Sequence, residues 1–399
     1  MNYRMTDFLL SLAQPESMRQ YAADPEAFMV SVGLDETQRR AVLTGDVYRV
    51  RRLAADEMLR DSLHARLLNR IYQERDPDFR LSASDGPFLD NDVDTDHDVD
   101  TDHDIVQTHD LGDDIAEFSA RYSKAHHYDH LFSDEWRATH RNQLVFVGTG
   151  IMSANHVTAE AAAYIRRADK VLYCVADLAV ERMIQQLNPR NWDLYAFYGD
   201  DKPRRKTYEE MVAKTLEELR QNRLVCVVYY GHPGIFVWPS FKAIEQARRE
   251  GYEAWMLPAV SSLDCLFADV GFDPSRHSCQ IVEATDLLAR ARQLDPTASV
   301  VIFQVGCVGD LGYNSRGYDR RNVPVLAEYL GKTYGASYEV ILYEASQYPI
   351  CKAKIRKVRI ADLANAKPSG ISTLYIPPKT LPAADNDMLR RLGLSRPER

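Results

Sequence analysis

The 399-residue sequence predicts an α/β protein with two α/β lobes, preceded by a small α-helical bundle and an acidic segment. Three observations support this prediction. Apolar strand candidates alternate with helical stretches, short capped helices occupy the N-terminal part, and aspartate dominates the segment between them. Strands that alternate with helices form parallel or mixed sheets with helices on their faces. The strand candidates lie at 144–148, 171–177, 224–230, 254–258, 299–305, 338–345 and 372–378.

The N-terminal part, residues 1–62, predicts a bundle of short helices. Asp24 and Pro25 offer an N-cap and a first helical residue. Asp35 and Gln38 form a capping-box pattern at the start of the following helix. A bundle this small has little core of its own, so we expect it to dock on another part of the molecule.

Residues 63–140 form an acidic linker. Twelve aspartates and no lysine or arginine lie between Asp85 and Asp114, and the hexapeptide Asp-Val-Asp-Thr-Asp-His occurs twice, at 92–97 and 98–103. Like charges at this density repel and few apolar side chains are available for burial, so we predict disorder in the free state. A solvated linker and a functional segment both fit this composition. An EF-hand calcium loop fits poorly, because the glycine at its sixth position and the glutamate at its twelfth are missing.

Composition and charge narrow the possible partners. The net charge is −9 and the isoelectric point is about 5.7, which argues against a nucleic-acid partner held by phosphate contacts. No run approaches the roughly 18 apolar residues of a membrane span. The N-terminus does not resemble a signal peptide. The six cysteines form no CxxC pair, so we predict reduced thiols in a cytoplasmic protein and no metal site.

Three loops at strand ends are candidates for a ligand site. The first predicted strand runs into Gly148-Thr149-Gly150, the third into YGHPGIF at 230–236, and the fourth into PAVSS at 258–262. In open α/β sheets, ligands gather at the carboxyl ends of the strands, and glycine lets the backbone approach a ligand closely. The spacing after the first strand is not GxGxxG, which disfavours a Rossmann dinucleotide site.

With these loops and the closing strand STLYIP, residues 142–379 resemble the tetrapyrrole (corrin/porphyrin) methylase superfamily. The stretches YGHPGIFVWPS, MLPAVSSLDCLFADVGFDP, EATDLLARARQLD and FQVGCVG resemble one branch, the borosin peptide N-methyltransferases. The resemblance implies two lobes, 141–258 and 259–379, with S-adenosyl-L-methionine (SAM) bound between them, and a polar tail at 380–399. The SAM contacts that it implies are Tyr230, His232, Ile235, Ser262, Gln304, Ala345, Ser372 and Thr373.

Methylation of a backbone amide needs a catalyst, because resonance makes the nitrogen a weak nucleophile and its N–H a very poor acid. A guanidinium beside a phenol favours the phenolate and can stabilise charge that develops on the amide oxygen. The resemblance implies a catalytic set of Tyr198, Arg204, Tyr208 and Tyr230, with Tyr208 as the base and Arg204 as its activator. The alternative is that these tyrosines only fill half-buried packing positions.

The N-terminal helices are similar to the leader domain of bacterial borosin precursors, which docks on the methyltransferase. A docked leader holds the chain that follows it at an effective concentration on the order of millimolar. We therefore predict that residues 76–115 carry the methylated peptide, presented in cis or to the other protomer of a homodimer. Two alternatives stay open: a methyltransferase of the same fold that acts on a tetrapyrrole, and a non-enzymatic protein that binds cations or a partner.

Overall fold

The computed structural model of the chain describes residues 3–60, 62–66, 142–175, 177–200, 202–314 and 318–394. The predicted peptide at 76–115 and nearly all of the acidic linker lie outside these residues. The chain forms two compact units. The first comprises Met1–Tyr198, Arg205–Ser261 and Gln347–Lys352, and the second comprises Gly199–Arg204, Ser262–Ser346 and Ala353–Arg399.

Short helices begin the first unit, at Arg4–Ser11, Pro15–Ala23, Pro25–Ser31, Glu36–Leu43 and Val47–Met58. The caps expected from the sequence are present. Asp24 accepts a hydrogen bond from the Ala27 backbone N–H at 3.0 Å, and Asp35 and Gln38 form a capping box. Each of these bonds satisfies a backbone N–H that has no partner within its own helix.

The N-terminal bundle shares one buried core with the α/β part of the first unit. Leu178 and Ala179, at the start of the helix Leu178–Leu187, lie in this core together with Tyr348 and Cys351. The last two residues belong to Gln347–Lys352, a segment that the sequence placed in the second lobe. Their burial against the bundle explains why this segment joins the first unit.

A five-stranded parallel sheet forms the centre of the first unit. The strands are β1 (Gln143–Gly148), β2 (Lys170–Cys174), β3 (Asn191–Asp193), β4 (Leu224–Tyr229) and β5 (Glu253–Met256). Their order in the sheet is β3-β2-β4-β1-β5. Alternate residues of β1 and β4 enter two different apolar clusters, so both faces of the sheet are covered. The helices around them are Ala159–Arg167, Leu178–Leu187, Arg204–Gln221 and Trp238–Arg249.

The second unit contains a mixed five-stranded sheet. The strands are β6 (Cys279–Glu283), β7 (Ser299–Phe303), β8 (Glu339–Glu344), β9 (Lys354–Arg359) and β10 (Thr373–Ile376). Their order in the sheet is β6-β7-β10-β8-β9. β6 and β7 are parallel, whereas β10 runs antiparallel to both β7 and β8. The helices are Ser262–Val270, Pro274–His277, Ala284–Ala289, Val323–Tyr334 and Asn386–Arg391.

Two negative findings apply to the described ranges. None of their helices is both long and apolar enough to cross a lipid bilayer. No group of three or more His, Cys, Asp or Glu side chains in these ranges is arranged to hold a metal ion.

Candidate functional site

The three loops singled out in the sequence meet at one edge of the first sheet. A β-carbon added at Gly148 would lie 2.2 Å from the Gly231 carbonyl oxygen, 2.5 Å from Ala259 Cβ and 2.9 Å from Pro233 Cδ. Gly150 and Gly231 exchange two backbone hydrogen bonds, of 2.8 and 3.3 Å, in an antiparallel bridge. The loops after β1, β4 and β5 therefore form one continuous surface, and only glycine fits at position 148.

The loop after β4 is ordered by His232. Its Nδ1 accepts a hydrogen bond from the Gly234 N–H at 2.9 Å, so the neutral ring carries its proton on Nε2. The Ile235 N–H donates to the His232 carbonyl at 3.3 Å. Tyr230 is 53% exposed, and Phe236 has a left-handed φ of 55°. His232 thus shapes this loop, while a contact of its ring with a ligand stays a prediction.

The predicted catalytic tyrosines gather in the first unit. Tyr198 and Tyr208 pack against the same apolar cluster, which includes residues of β1 and β4. Burial raises the pKa of Tyr198 well above its ordinary value. Further groups that raise this pKa are Cys174, Tyr208, Tyr195 and Tyr230. Tyr198 is therefore a neutral phenol that can donate a hydrogen bond to a carbonyl oxygen, and it is unsuited to act as a base at neutral pH.

Arg204 begins the helix Arg204–Gln221 and belongs to the second unit. Its Nη2 donates to the Gly312 carbonyl at 2.9 Å and to the Tyr318 hydroxyl at 3.3 Å. Its backbone N–H donates to the Leu311 carbonyl at 2.9 Å. Tyr208 follows four residues later, on the same side of this helix. The structure thus holds Arg204 by its backbone and its guanidinium, one helical turn before Tyr208.

Tyr318 is a residue that the sequence analysis missed. It lies 114 positions from Arg204, and no spacing or motif connects the two. Its ring is packed so closely on Gly370 that a β-carbon there would lie 3.0 Å from Tyr318 Cδ2. Burial raises the pKa of Tyr318, although the Arg204 guanidinium acts in the opposite direction. Tyr318 is thus a neutral, closely packed partner for Arg204.

Four of the predicted SAM contacts lie together at one edge of the second sheet. Gln304 directly follows β7, Ala345 directly follows β8, and Ser372 and Thr373 stand at the start of the antiparallel β10. The Val305 N–H donates to the Ser372 carbonyl at 3.4 Å. Gln304 has φ 61° and ψ 35°, a left-handed conformation that costs a non-glycine residue about 1–3 kcal/mol. Strain of this kind concentrates at ligand sites.

The hydroxyl of Ser372 is engaged inside its own loop. It donates to Glu344 Oε1 at 2.5 Å and accepts from the Ser369 N–H at 2.8 Å. Ser369 Oγ donates to the same Glu344 oxygen, and Ser372 is fully buried. A ligand contact at Ser372 would therefore use its backbone. The remaining predicted contact, Ser262, begins the helix Ser262–Val270.

Residues 143–363 match the model of one protein family, the Tetrapyrrole (Corrin/Porphyrin) Methylases. The chain belongs to this family. The fold class predicted from the strand pattern and the loops is confirmed, and the chain has the expected helical part before its α/β units.

Curated relatives of this chain are named both as methyltransferases and as peptide precursors. The chain is 45% identical over 63% of its length to the "methyltransferase/ribosomally synthesized type III borosin cyclic peptide precursor" of Anomoporia bombycina, and covers 30% of that protein. It is 42% identical to the omphalotin A precursor of Omphalotus olearius, over 64% of this chain and 62% of the relative. The dendrothelin A precursor of Dendrothele bispora is 41% identical, with the same coverage. The predicted resemblance to borosin methyltransferases is confirmed, and the chain spans less than two thirds of these relatives.

The solved structures that this chain resembles are more distant from it in sequence than these relatives. The uroporphyrin-III-C-methyltransferase of Thermus thermophilus is 18% identical, with a TM-score of 0.44, over 62% of this chain and 99% of the other. A diphthine synthase is 14% identical, also with a TM-score of 0.44, over 63% of this chain and 95% of the other.

Proposed function

We propose that this methylase transfers methyl groups from SAM, one after another, to backbone amide nitrogens of a ribosomally made peptide. The observation that carries the proposal is the identity of 45% to a relative named as both methyltransferase and borosin cyclic peptide precursor. Within each unit, residues of the proposed site lie at one sheet edge, which supports a common function for them.

Two backbone features, one in each unit, support a ligand site for the methyl donor. The loops after β4 and β5 lie so close to Gly148 that no side chain is tolerated there, and Gln304 has a strained left-handed backbone conformation. Both features are common where a ligand meets the main chain. When bound, SAM supplies an electrophilic methyl group. The residues proposed to hold it are Tyr230, His232, Ile235, Ser262, Gln304, Ala345, Ser372 and Thr373.

The chain's own groups would activate the amide. The Tyr208 phenolate accepts the proton of the amide N–H, while the Arg204 guanidinium stabilises the negative charge that develops on the amide oxygen. The neutral Tyr198 hydroxyl donates a hydrogen bond to the same carbonyl, and Tyr230 helps to orient the methyl donor. The hydrogen bonds from Arg204 to Gly312 and Tyr318 support this role, because a preorganised cation needs little rearrangement during the reaction.

The proposed substrate is the segment 76–115 of the same chain, or of the other protomer of a cytoplasmic homodimer. The packing of the N-terminal bundle on the unit that contains Tyr198, Tyr208 and Tyr230 supports this part of the proposal. A peptide that follows a docked bundle stays at a high local concentration.

The intact mass of the purified full-length protein, measured over time with added SAM, tests the proposal. We expect the mass to rise in steps of one CH2 group. A constant mass while SAM binds by calorimetry would refute peptide methylation. Methylation of added uroporphyrinogen in its place would favour a small-molecule methyltransferase of the same family.

A further inference from the structure

The last described part of the N-terminal bundle, residues 62–66, contacts Tyr195, which in turn contacts the proposed catalytic residue Tyr198. His64 is buried, and its ring centroid lies 4.5 Å from that of Tyr195, with the planes tilted by 40°. The Tyr195 centroid lies 5.2 Å from that of Tyr198, tilted by 41°. A chain of three rings in contact therefore leads from the bundle to Tyr198, entirely within the first unit.

A buried hydrogen bond anchors residues 62–66. Ser62 Oγ donates to Glu181 Oε2 at 2.6 Å and accepts from the Ala65 N–H at 2.9 Å. Ser62 is completely buried, and Glu181 is 1% exposed. Since buried polar groups need their hydrogen-bond partners, this contact fixes where the turn that carries His64 lies on the helix Leu178–Leu187.

Tyr195 and Tyr198 are also joined through the backbone. Tyr195 lies in the 3₁₀ turn Leu194–Phe197, and Tyr198 caps that turn. The Tyr195 N–H donates to Asp193 Oδ1 at 2.8 Å, and the Tyr198 N–H donates to the Tyr195 carbonyl at 2.9 Å. A displacement of Tyr195 would thus reach Tyr198 through the turn as well as through the ring contact.

We propose that His64 is a positioning residue, which holds Tyr195 and through it Tyr198 in the orientation needed to bind the substrate carbonyl. The proposal rests on the proposed function, since it takes Tyr198 as a member of the catalytic set. The N-terminal bundle then contributes to catalysis, in addition to carrying the peptide. The rate of methylation depends on how residues 62–66 of the bundle pack against the rest of the first unit.

The test compares His64→Ala with Met29→Ala in the full-length protein. Met29 is completely buried in the core of the same bundle, within the helix Pro25–Ser31, so it is a matched control for lost packing. The readouts are the initial rate of mass gain at saturating SAM and the SAM concentration that gives half this rate, at a temperature where circular dichroism shows folded protein. We expect His64→Ala to lower the rate by about tenfold to a hundredfold, as for small misplacements of catalytic groups. The half-saturating SAM concentration stays unchanged, and Met29→Ala keeps the parent rate.

Two further variants keep the test decisive if His64→Ala fails to fold. His64→Phe retains an aromatic ring against Tyr195 and is expected to keep most of the rate. His64→Leu fills a similar volume without a flat ring and is expected to lose it. The proposal would be overturned if His64→Phe and His64→Leu both methylate at the parent rate. It would also be overturned if His64→Ala and Met29→Ala lower the methylation rate equally. A parent protein that never gains mass would instead refute the proposed function, so the two failures are distinguishable.

Discussion

Tyr208 stands one helical turn after an arginine whose guanidinium is held by Gly312 and Tyr318. A cation fixed by such bonds can stabilise developing charge without reorganising during the reaction. In the proposed mechanism, the amide oxygen then has a permanent positive partner, and Tyr208 removes the proton from the amide nitrogen. Removal of the Tyr208 hydroxyl is therefore expected to lower the methylation rate strongly.

Replacing Tyr208 by phenylalanine should lower the methylation rate at least about a hundredfold, in line with the usual contribution of a general base. SAM binding measured by calorimetry should not change, because the ring and its packing remain. Tyr252→Phe is the control, since Tyr252 is also half-buried against the same apolar cluster. A Tyr208→Phe protein that methylates at the parent rate would contradict the assignment of Tyr208 as the base.

Glu181 makes the stability of the fold depend on pH. Burial raises its pKa to about 8, against a usual value of 4.5, although the hydrogen bond from Ser62 acts in the opposite direction. The other groups that affect this pKa are Asp193, Tyr173 and Asp177. The carboxyl is neutral in the folded protein over a range in which it ionises in the unfolded chain. Its contribution to stability is complete below about pH 4.5 and is lost as the pH rises through about 8.

The free energy of unfolding should therefore fall between about pH 5 and 8, by an amount on the order of a few kcal/mol. Denaturant titrations across this range measure the change. Glu181→Gln should remove most of this pH dependence of the free energy of unfolding. The control Glu36→Gln, at an exposed position in the bundle, should leave the pH dependence unchanged. Asp193, whose pKa burial raises to about 6, contributes a smaller part at the acidic end. An unchanged pH dependence in Glu181→Gln would show that this carboxyl is ionised in the folded state.

At the scale of elements, the packing of the loops after β1, β4 and β5 depends on the close contact between Gly148 and the Gly231 carbonyl. The Gly231 carbonyl that a side chain at Gly148 would strike is itself bonded to the Gly150 N–H. The carbonyl therefore cannot move aside without breaking the bridge between the two loops. Close packing of this kind transmits the effect of one added methyl group to the whole loop surface.

Gly148→Ala should weaken SAM binding at least tenfold and lower the free energy of unfolding by about 1–3 kcal/mol, the usual cost of overpacking. Calorimetry and denaturant titration measure the two effects. Gly331→Ala is the control, because the nearest atom to its added β-carbon is 4.0 Å away. If Gly148→Ala binds SAM with the affinity of the parent protein, the surface formed by these loops is not part of the SAM site.

The strands that the sequence predicted correctly are those with apolar runs. β3, β6 and β9 were not predicted, and all three lie at sheet edges. β3 has only three residues, and β9 reads KIRKVR with mostly exposed side chains. An edge strand faces solvent along one side and can form without a continuous apolar run, so hydrophobic periodicity misses strands such as these three. β5 also lies at an edge, but its apolar run made it predictable.

The loops of the candidate site could be read from the sequence because each follows a strand and carries its own glycines or serines. The contacts that residues of the site make with distant parts of the chain could not be predicted from the sequence. Tyr318 meets Arg204, and His64 meets Tyr195, across long stretches of chain. Such pairs leave no local pattern, because only the folded chain brings them together.

At the scale of the whole molecule, the N-terminal bundle and the α/β part of the first unit share their core. Tyr348, from a segment between β8 and β9, is buried in that core and donates its hydroxyl hydrogen to Asp177 at 2.9 Å. Leu178 and Ala179 are buried in the same cluster as the apolar residues of the bundle. The bundle is therefore an integral part of the first unit, consistent with the positioning role inferred for His64.

Tandem mass spectrometry of the full-length protein after reaction with SAM tests the central claim most directly. We expect fragments from residues 76–115 to carry increments of one CH2 group each, with fragment ions that place every methyl group on a backbone nitrogen. Fragments from this segment that stay unmodified under conditions where SAM binds, or that carry the methyl groups on side chains, would contradict the claim.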